Sequence, residues 1–236
     1  MSTIYLIPAI LQEEGIGAIP PSITDDIKTC QVFFVENERS TRRYFKQLWK
    51  QFLPGQEIII DNYEWVNMAE PGAEDLFRKK IKEDKIIGIV SEAGYPGVAD
   101  PGQTLIAIAQ AMNTPVKPLV GPSSILLALM ASGMNGQQFK FNGYLPIDNG
   151  LRIKALKELE AESAKKDCTQ IFIETPYRNN QLIEAVLKNC HPDTRFCIAV
   201  DITGPAEWIK TKSVRQWQNE KTDIHKLPAI FLLHAR

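Results

Sequence analysis

The chain has 236 residues, enough for one large domain or two smaller ones with a core each. It is 44% hydrophobic and 23% charged, and its formal net charge of -1 excludes a uniformly basic nucleic-acid binder while leaving room for a local basic face. No apolar run approaches the length of a membrane span. The opening segment 1–8 lacks a basic stretch followed by a long apolar core, so it reads as a first strand, not a leader. Cys30, Cys168, Cys190 and Cys197 form no C-x-x-C pair. His191, His225 and His234 are scattered late in the chain. These spacings suggest no metal site. They predict buried thiols and surface histidines in a reducing, cytoplasmic setting.

In chain order, 3–7 is a predicted strand that stops at Pro8. A loop with Gly15, Gly17, Pro20 and Pro21 follows, and it lacks the third glycine of a dinucleotide fingerprint. A short helix is predicted over 22–30, with Ser22 or Thr24 as N-cap, and a strand over 31–36, with Glu36 at its carboxyl end. Residues 38–51 form an amphipathic helix. Phe45, Leu48, Trp49 and Phe52 share one face, and Arg39, Arg43, Lys46 and Lys50 another, with Arg42 at its edge. That basic stripe is either the solvated face of a core helix or a contact for phosphate, which arginine binds in a bidentate manner. Residues 58–60 are a predicted third strand and 74–85 a helix.

The segment 86–102 is central. Its apolar run reads as a buried strand that breaks at Ser91 into a loop rich in Gly and Pro. In an open α/β sheet, ligands lie beyond the carboxyl ends of strands. Such a loop is either a tight strand-to-helix connection or a rigid set of main-chain groups for a polar small molecule, with Glu92 and Asp100 beside them. A helix over 103–112 and a strand over 115–120 continue the alternation that marks a mostly parallel sheet. Gly121-Pro122-Ser123-Ser124 then opens an apolar helix, either as a plain N-cap or as a site for a polar or anionic group.

A second unit follows. Strands are predicted at 139–146, 169–174, 195–201 and 227–234, with helices at 151–165, 180–189 and 214–221. Residues 207–212 form an extended hairpin partner. The predicted domains are 1–118 and 119–236. No G-x-S-x-G elbow, Walker loop or H-E-x-x-H is present. The residues alone therefore give a two-part α/β protein that binds a small polar ligand between its halves.

Five segments in fixed order carry a resemblance. Ser91-Glu92-Ala93-Gly94-Tyr95-Pro96-Gly97-Val98-Ala99-Asp100-Pro101-Gly102 resembles the S-D-A-G-x-P-x-x-x-D-P-G motif of the tetrapyrrole-methylase-like, class III methyltransferases. The stretch Glu36-Asn37-Glu38-Arg39-Ser40-Thr41-Arg42-Arg43 resembles the E-D-T-R-x-T-x-x of the ribosomal RNA small subunit methyltransferase I family within that superfamily. Gly121-Pro122-Ser123 is similar to its G-P-S, Phe141-Asn142-Gly143-Tyr144-Leu145-Pro146 to its F-x-G-F-L-P, and Glu174-Thr175-Pro176-Tyr177-Arg178 to its E-S-P-H-R. The chain departs from the family at Pro8-Ala9-Ile10-Leu11-Gln12, where the pattern is P-I-G-N-L. It also departs at Asp61-Asn62-Tyr63-Glu64-Trp65, which replaces H-x-H-N-E, at Glu92 and at Tyr177.

The resemblance implies two α/β domains with S-adenosylmethionine in the cleft between them, usually in a homodimer. It implies methyl transfer to the ribose 2′-hydroxyl of a cytidine in small-subunit ribosomal RNA. Cofactor contacts map onto Pro8, Glu92, Ala93, Gly94, Pro96, Gly97, Gly121, Ser123, Ser124, Tyr144, Leu145, Pro228 and Ala229. Arg39, Arg42, Arg43, Tyr177 and Arg178 are the candidates for holding RNA. Glu36, Glu92 and Asp100 are the candidate bases, and the residues alone do not choose among them. Because the cofactor-side motifs are better kept than the substrate-side ones, two rival readings stand. One is a class III methyltransferase for another acceptor, such as a tetrapyrrole-like molecule. The other is a cofactor-binding module without turnover.

Overall fold

The computed structural model describes residues 1–56 and 59–235. Two compact units divide the chain, Met1–Ser123 and Ser124–Arg236.

The first unit contains strands β1 (Thr3–Ile7), β2 (Val32–Val35), β3 (Glu64–Asn67), β4 (Ile86–Val90) and β5 (Val116–Pro118), and helices α1 (Ile23–Thr29), α2 (Glu38–Phe52), α3 (Ala73–Lys82) and α4 (Gly102–Ala111). The strands form one sheet in the order β3-β2-β4-β1-β5, and every pairing is parallel. Side chains alternate across a strand, and this alternation builds a core on each face. Phe33 and Val35 join α1 and α2 through Ile27, Phe45 and Leu48. Val32 and Phe34 join α3 and α4 through Phe77, Ile81 and Leu105. All four residues of β2 are buried, as a central parallel strand requires.

Helix α2 starts where Asn37 accepts the Ser40 N–H with its side chain. Its buried stripe is Thr41, Tyr44, Phe45, Leu48 and Trp49. Phe45 meets Phe33 edge-on at 5.0 Å. Of the strand expected over 58–60, Ile59 and Ile60 are not in a strand. Ile58 lies outside the described residues, Ile60 begins a single 3-10 turn, and Ile59 is 53% exposed. The third strand is the more polar Glu64–Asn67 run instead.

The second unit contains α5 (Ser124–Ser132), β6 (Phe139–Tyr144), α6 (Asn149–Lys166), β7 (Thr169–Ile173), α7 (Asn179–Asn189), β8 (Arg195–Val200), β9 (Trp208–Ser213), α8 (Val214–Gln218) and β10 (Ala229–His234). Its sheet is mixed, in the order β6-β7-β10-β8-β9. Strands β6 and β7 are parallel, and β10 and β9 are antiparallel to their neighbours. Phe172, Phe196 and Phe231 stack across β7, β8 and β10 beneath α6 and α7.

All four cysteines are buried free thiols. Burial pushes Cys197 up to about 11 and Cys190 up to about 12. The histidines are not all at the surface. His234 is 2% exposed, placed 3.1 Å from Asp167 Oδ1 and 3.2 Å from the Arg195 guanidinium. It ends a strand in which Ile230 to Leu233 are buried, and periodicity alone does not separate such a histidine from a solvent-facing one. No described helix is long and apolar enough to cross a membrane.

Candidate functional site

A parallel sheet brings the carboxyl ends of its strands to one edge. In the first unit the loops leaving β1, β2, β4 and β5 meet there and are tied to one another. Ala9, just past β1, forms an antiparallel bridge with Gly94 of the loop after β4, with N–H to O distances of 2.8 and 3.2 Å. Tyr95 in the same loop reaches the segment after β5. Its hydroxyl donates to the Gly121 carbonyl at 2.5 Å and accepts the Gly121 N–H at 2.8 Å. Gly121 has no room for a side chain, because a Cβ there would collide with the Pro8 ring. The buried Tyr44 hydroxyl on α2 donates to the Pro8 carbonyl at 2.8 Å. Glu36, at the end of β2, accepts the Glu92 N–H at 2.9 Å, and Ser40 Oγ donates to Glu92 Oε1 at 2.6 Å.

The loop between β4 and α4 is held internally by Asp100. Its Oδ1 accepts the N–H groups of Gly97 at 2.8 Å and Gly102 at 2.6 Å. Gly97 has φ +81°, and Ala99 sits at φ +59°, a left-handed conformation that costs energy for a residue with a side chain. The strain persists because the hydrogen bonds on either side fix the loop. Asp100 Oδ2 is buried without a hydrogen-bond partner, and an acid side chain lies beside Asp100. That acid is Glu36. Burial first, then the contact with Asp100 and the negative charge beside it, push Glu36 up to about 7, against the opposing pull of the Glu92 N–H. The two carboxyl groups lie close enough for the neutral form of Glu36 to be favoured beside Asp100.

These ties position most of the first-unit candidates. Pro8, Gly94 and Pro96 are buried, Ala93 and Glu92 are exposed, and Gly97, Gly121 and Ser123 are partly covered. Glu36, Glu92 and Asp100 form one acidic group. Tyr44, Tyr95 and Ser40 complete this network and escape a reading by motif. The available signal was for Tyr44 alone: a tyrosine on the buried stripe of a helix needs a partner for its hydroxyl.

Beside the acids, the start of α2 lines a groove of about 760 Å³ with Asn37, Arg39, Arg42, Arg43 and Lys46 among its walls. The arginines differ. Arg42 is bound to Glu38 at 2.9 Å and to Asp61, and lies over the Trp65 ring. Arg43 is only loosely paired with Glu13, at 3.8 Å between exposed groups. Arg39 is exposed with no carboxylate partner among the described residues. Arg39 and Arg43 are therefore the two available for an anion, and Arg42 anchors the helix.

The second-unit candidates collect at one end of its own sheet. Tyr144 closes β6 opposite Ile173 of β7, and Ile230, next to Ala229, pairs with that same Ile173. Tyr144 is 62% exposed, whereas Leu145 is buried in the core. Pro228 is exposed, and its carbonyl accepts the Asp201 N–H at 2.9 Å. Ser124 begins α5. Tyr177 is exposed against His225, and Arg178 is held by the buried Glu174 at 2.6 and 3.0 Å.

No protein-family model matches the chain. Sequence relatives do. The ribosomal RNA small subunit methyltransferase I of Buchnera aphidicola is 30% identical over 186 residues, covering 75% of this chain and 64% of that protein. The protein of the same name from Vibrio cholerae is 25% identical over 98% of this chain and 77% of its own length. The chain thus spans about two thirds to three quarters of these curated relatives. Among solved structures, the methyltransferase CobJ matches with TM-score 0.61 at 16% identity, covering 99% of this chain and 93% of that one. Uroporphyrin-III-C-methyltransferase from Thermus thermophilus matches with TM-score 0.53 at 15% identity, covering 98% and 91%.

Proposed function

We propose, for a chain that has the class III, tetrapyrrole-methylase-type fold and is a sequence relative of the ribosomal RNA small subunit methyltransferases I, that it transfers a methyl group from S-adenosylmethionine to a ribose 2′-hydroxyl of a cytidine in small-subunit ribosomal RNA. The observation that carries this reading is the acidic, hydrogen-bonded loop cluster of Glu36, Glu92 and Asp100 directly beside the Arg39 and Arg43 groove. The names of the sequence relatives supply the acceptor class.

The residues present fit the cofactor. It carries hydroxyls, an amine and a positive sulfonium, and the loop offers the exposed Ala93 near the acidic side chains of Glu36 and Asp100. Pro8, Gly94, Pro96, Gly97, Gly121 and Ser123 would hold it in the first unit. Ser124, Tyr144, Leu145, Pro228 and Ala229 would do so in the second. When bound, S-adenosylmethionine supplies an activated methyl on a good leaving group. Methylation of the ribose oxygen would release the hydroxyl proton, for which the protein would need an acceptor. Main demands on the protein are alignment and close approach. Glu36 is the carboxylate whose proton affinity suits acceptance of that proton near neutral pH. Asp100 spends its Oδ1 on the loop amides, and Glu92 orients Ser40. Arg39 and Arg43 hold RNA phosphate, while Tyr177 and Arg178 contact RNA from the second unit. A homodimer goes with this reading; Met130, Ile147 and Leu151 are among the exposed apolar side chains of the second unit. Sedimentation showing a monomer at working concentration would remove it.

The test is transfer of a labelled methyl group to undermethylated small ribosomal subunits, followed by nucleoside analysis. The reading predicts label in 2′-O-methylcytidine. Label in a base, or none, rejects this acceptor, and cofactor binding without transfer leaves a non-catalytic module or another acceptor.

A further inference from the structure

Next to the basic groove lies a second, smaller cleft. It has a volume of about 190 Å³ and is bounded by the loop after β1, helix α2 and the start of the loop after β4. Its size decides what it can take. Sites for whole drug-sized or cofactor-sized molecules run from roughly 300 to 1,000 Å³. This cleft suits one planar ring.

Its walls suit such a ring too. Buried Ala9 and Tyr44 line it. Two half-buried side-chain amides, Gln12 and Gln47, and two carboxylates, Glu13 and Glu92, add hydrogen-bonding groups. Neither amide is used in any hydrogen bond found among the described residues. The walls are held still, because Ala9 is bridged to Gly94, Tyr44 to Pro8 and Glu92 to Ser40. The cleft and the groove share Ser40 and Arg43. A track for phosphate and a ring-sized pocket on a common wall are what a single extruded nucleotide needs.

We infer that the cleft lined by Ala9, Gln12, Tyr44, Gln47 and Glu92 is the subsite for the base of the acceptor nucleotide, a single-ring base bearing an amino group. The carboxylates accept from the amino group and the amides donate to the ring nitrogen and carbonyl. A uracil-type base presents a carbonyl to the same carboxylates and is disfavoured. The inference rests on the reading of an RNA acceptor and adds where its base is seated.

Fluorine NMR of 5-fluorocytidine 5′-monophosphate with the full chain tests it without any transfer step. The expected result is a saturable shift of the fluorine signal that ribose 5-phosphate does not reverse at equal concentration and that saturating S-adenosylmethionine leaves in place. 5-Fluorouridine 5′-monophosphate binds about tenfold more weakly, in keeping with the loss of a base-edge contact. Gln47→Phe, which fills the cleft, abolishes the shift, and Gln12→Phe does the same from the opposite wall. A missing shift in the unaltered protein, displacement by ribose 5-phosphate or by S-adenosylmethionine, or an unchanged shift in a folded Gln47→Phe chain overturns the subsite. A sound shift with no label reaching ribosomal RNA overturns the acceptor and leaves the subsite standing.

Discussion

Glu36 shows how a single residue draws its chemistry from distant neighbours. A carboxyl group ordinarily at 4.5 is pushed up to about 7 by burial and by Asp100. Between those values the folded chain keeps a proton that the unfolded chain has released. Folding then takes up protons, so this group's stabilising contribution is present below the unfolded value and is lost as pH rises through the folded one. Glu36→Gln keeps a neutral donor at every pH and escapes that loss. Its melting temperature should therefore gain on that of the unaltered chain as pH goes from 5 to 8. A difference that stays constant across this range contradicts the raised proton affinity of Glu36. The acid itself was legible, since a Glu closing a predicted strand lies on the ligand side of the sheet. Its proton affinity was not, because that depends on an Asp in another loop. Tyr44 and Tyr95 are hidden for the same reason: their partners, the Pro8 carbonyl and Gly121, are distant in sequence.

Helix α2 combines a buried apolar stripe with a basic face. Spacing alone separates its apolar stripe from its basic one, and the structure keeps that separation, with Phe45, Leu48 and Trp49 buried, Phe52 half-buried, and Arg39 and Arg43 exposed. What spacing does not reveal is that Arg42 is occupied by Glu38 and Asp61. Arg39→Glu combined with Arg43→Glu should lower RNA affinity by at least tenfold and flatten its salt dependence by about two phosphate contacts. Filter binding across a salt series reads both, and an unchanged slope contradicts phosphate contact at these residues. Ile59 and Ile60 do not form the expected strand, because a short isoleucine run carries no information on where it pairs. Parallel pairing with β2 selects Glu64–Asn67, whose Trp65 stacks on Phe33 at 5.1 Å.

At the scale of the whole molecule, alternating strands and helices made the doubly wound first unit legible, and its parallel sheet follows from crossover helices. The second sheet was harder to foresee. No helix separates β8 from β9, so the chain returns antiparallel, and β10 inserts between β7 and β8 by a pairing that local pattern does not encode. In each unit the candidate residues lie at one end of its sheet, and the proposed transfer requires that the chain bind S-adenosylmethionine. Titration calorimetry of the full chain tests this most directly. Saturable binding of one molecule per chain is expected, greatly weakened by Gly97→Val, whose side chain would press on Ile106 from a backbone at φ +81°. No heat of binding, with no protection of the chain against thermal unfolding by saturating cofactor, would contradict it.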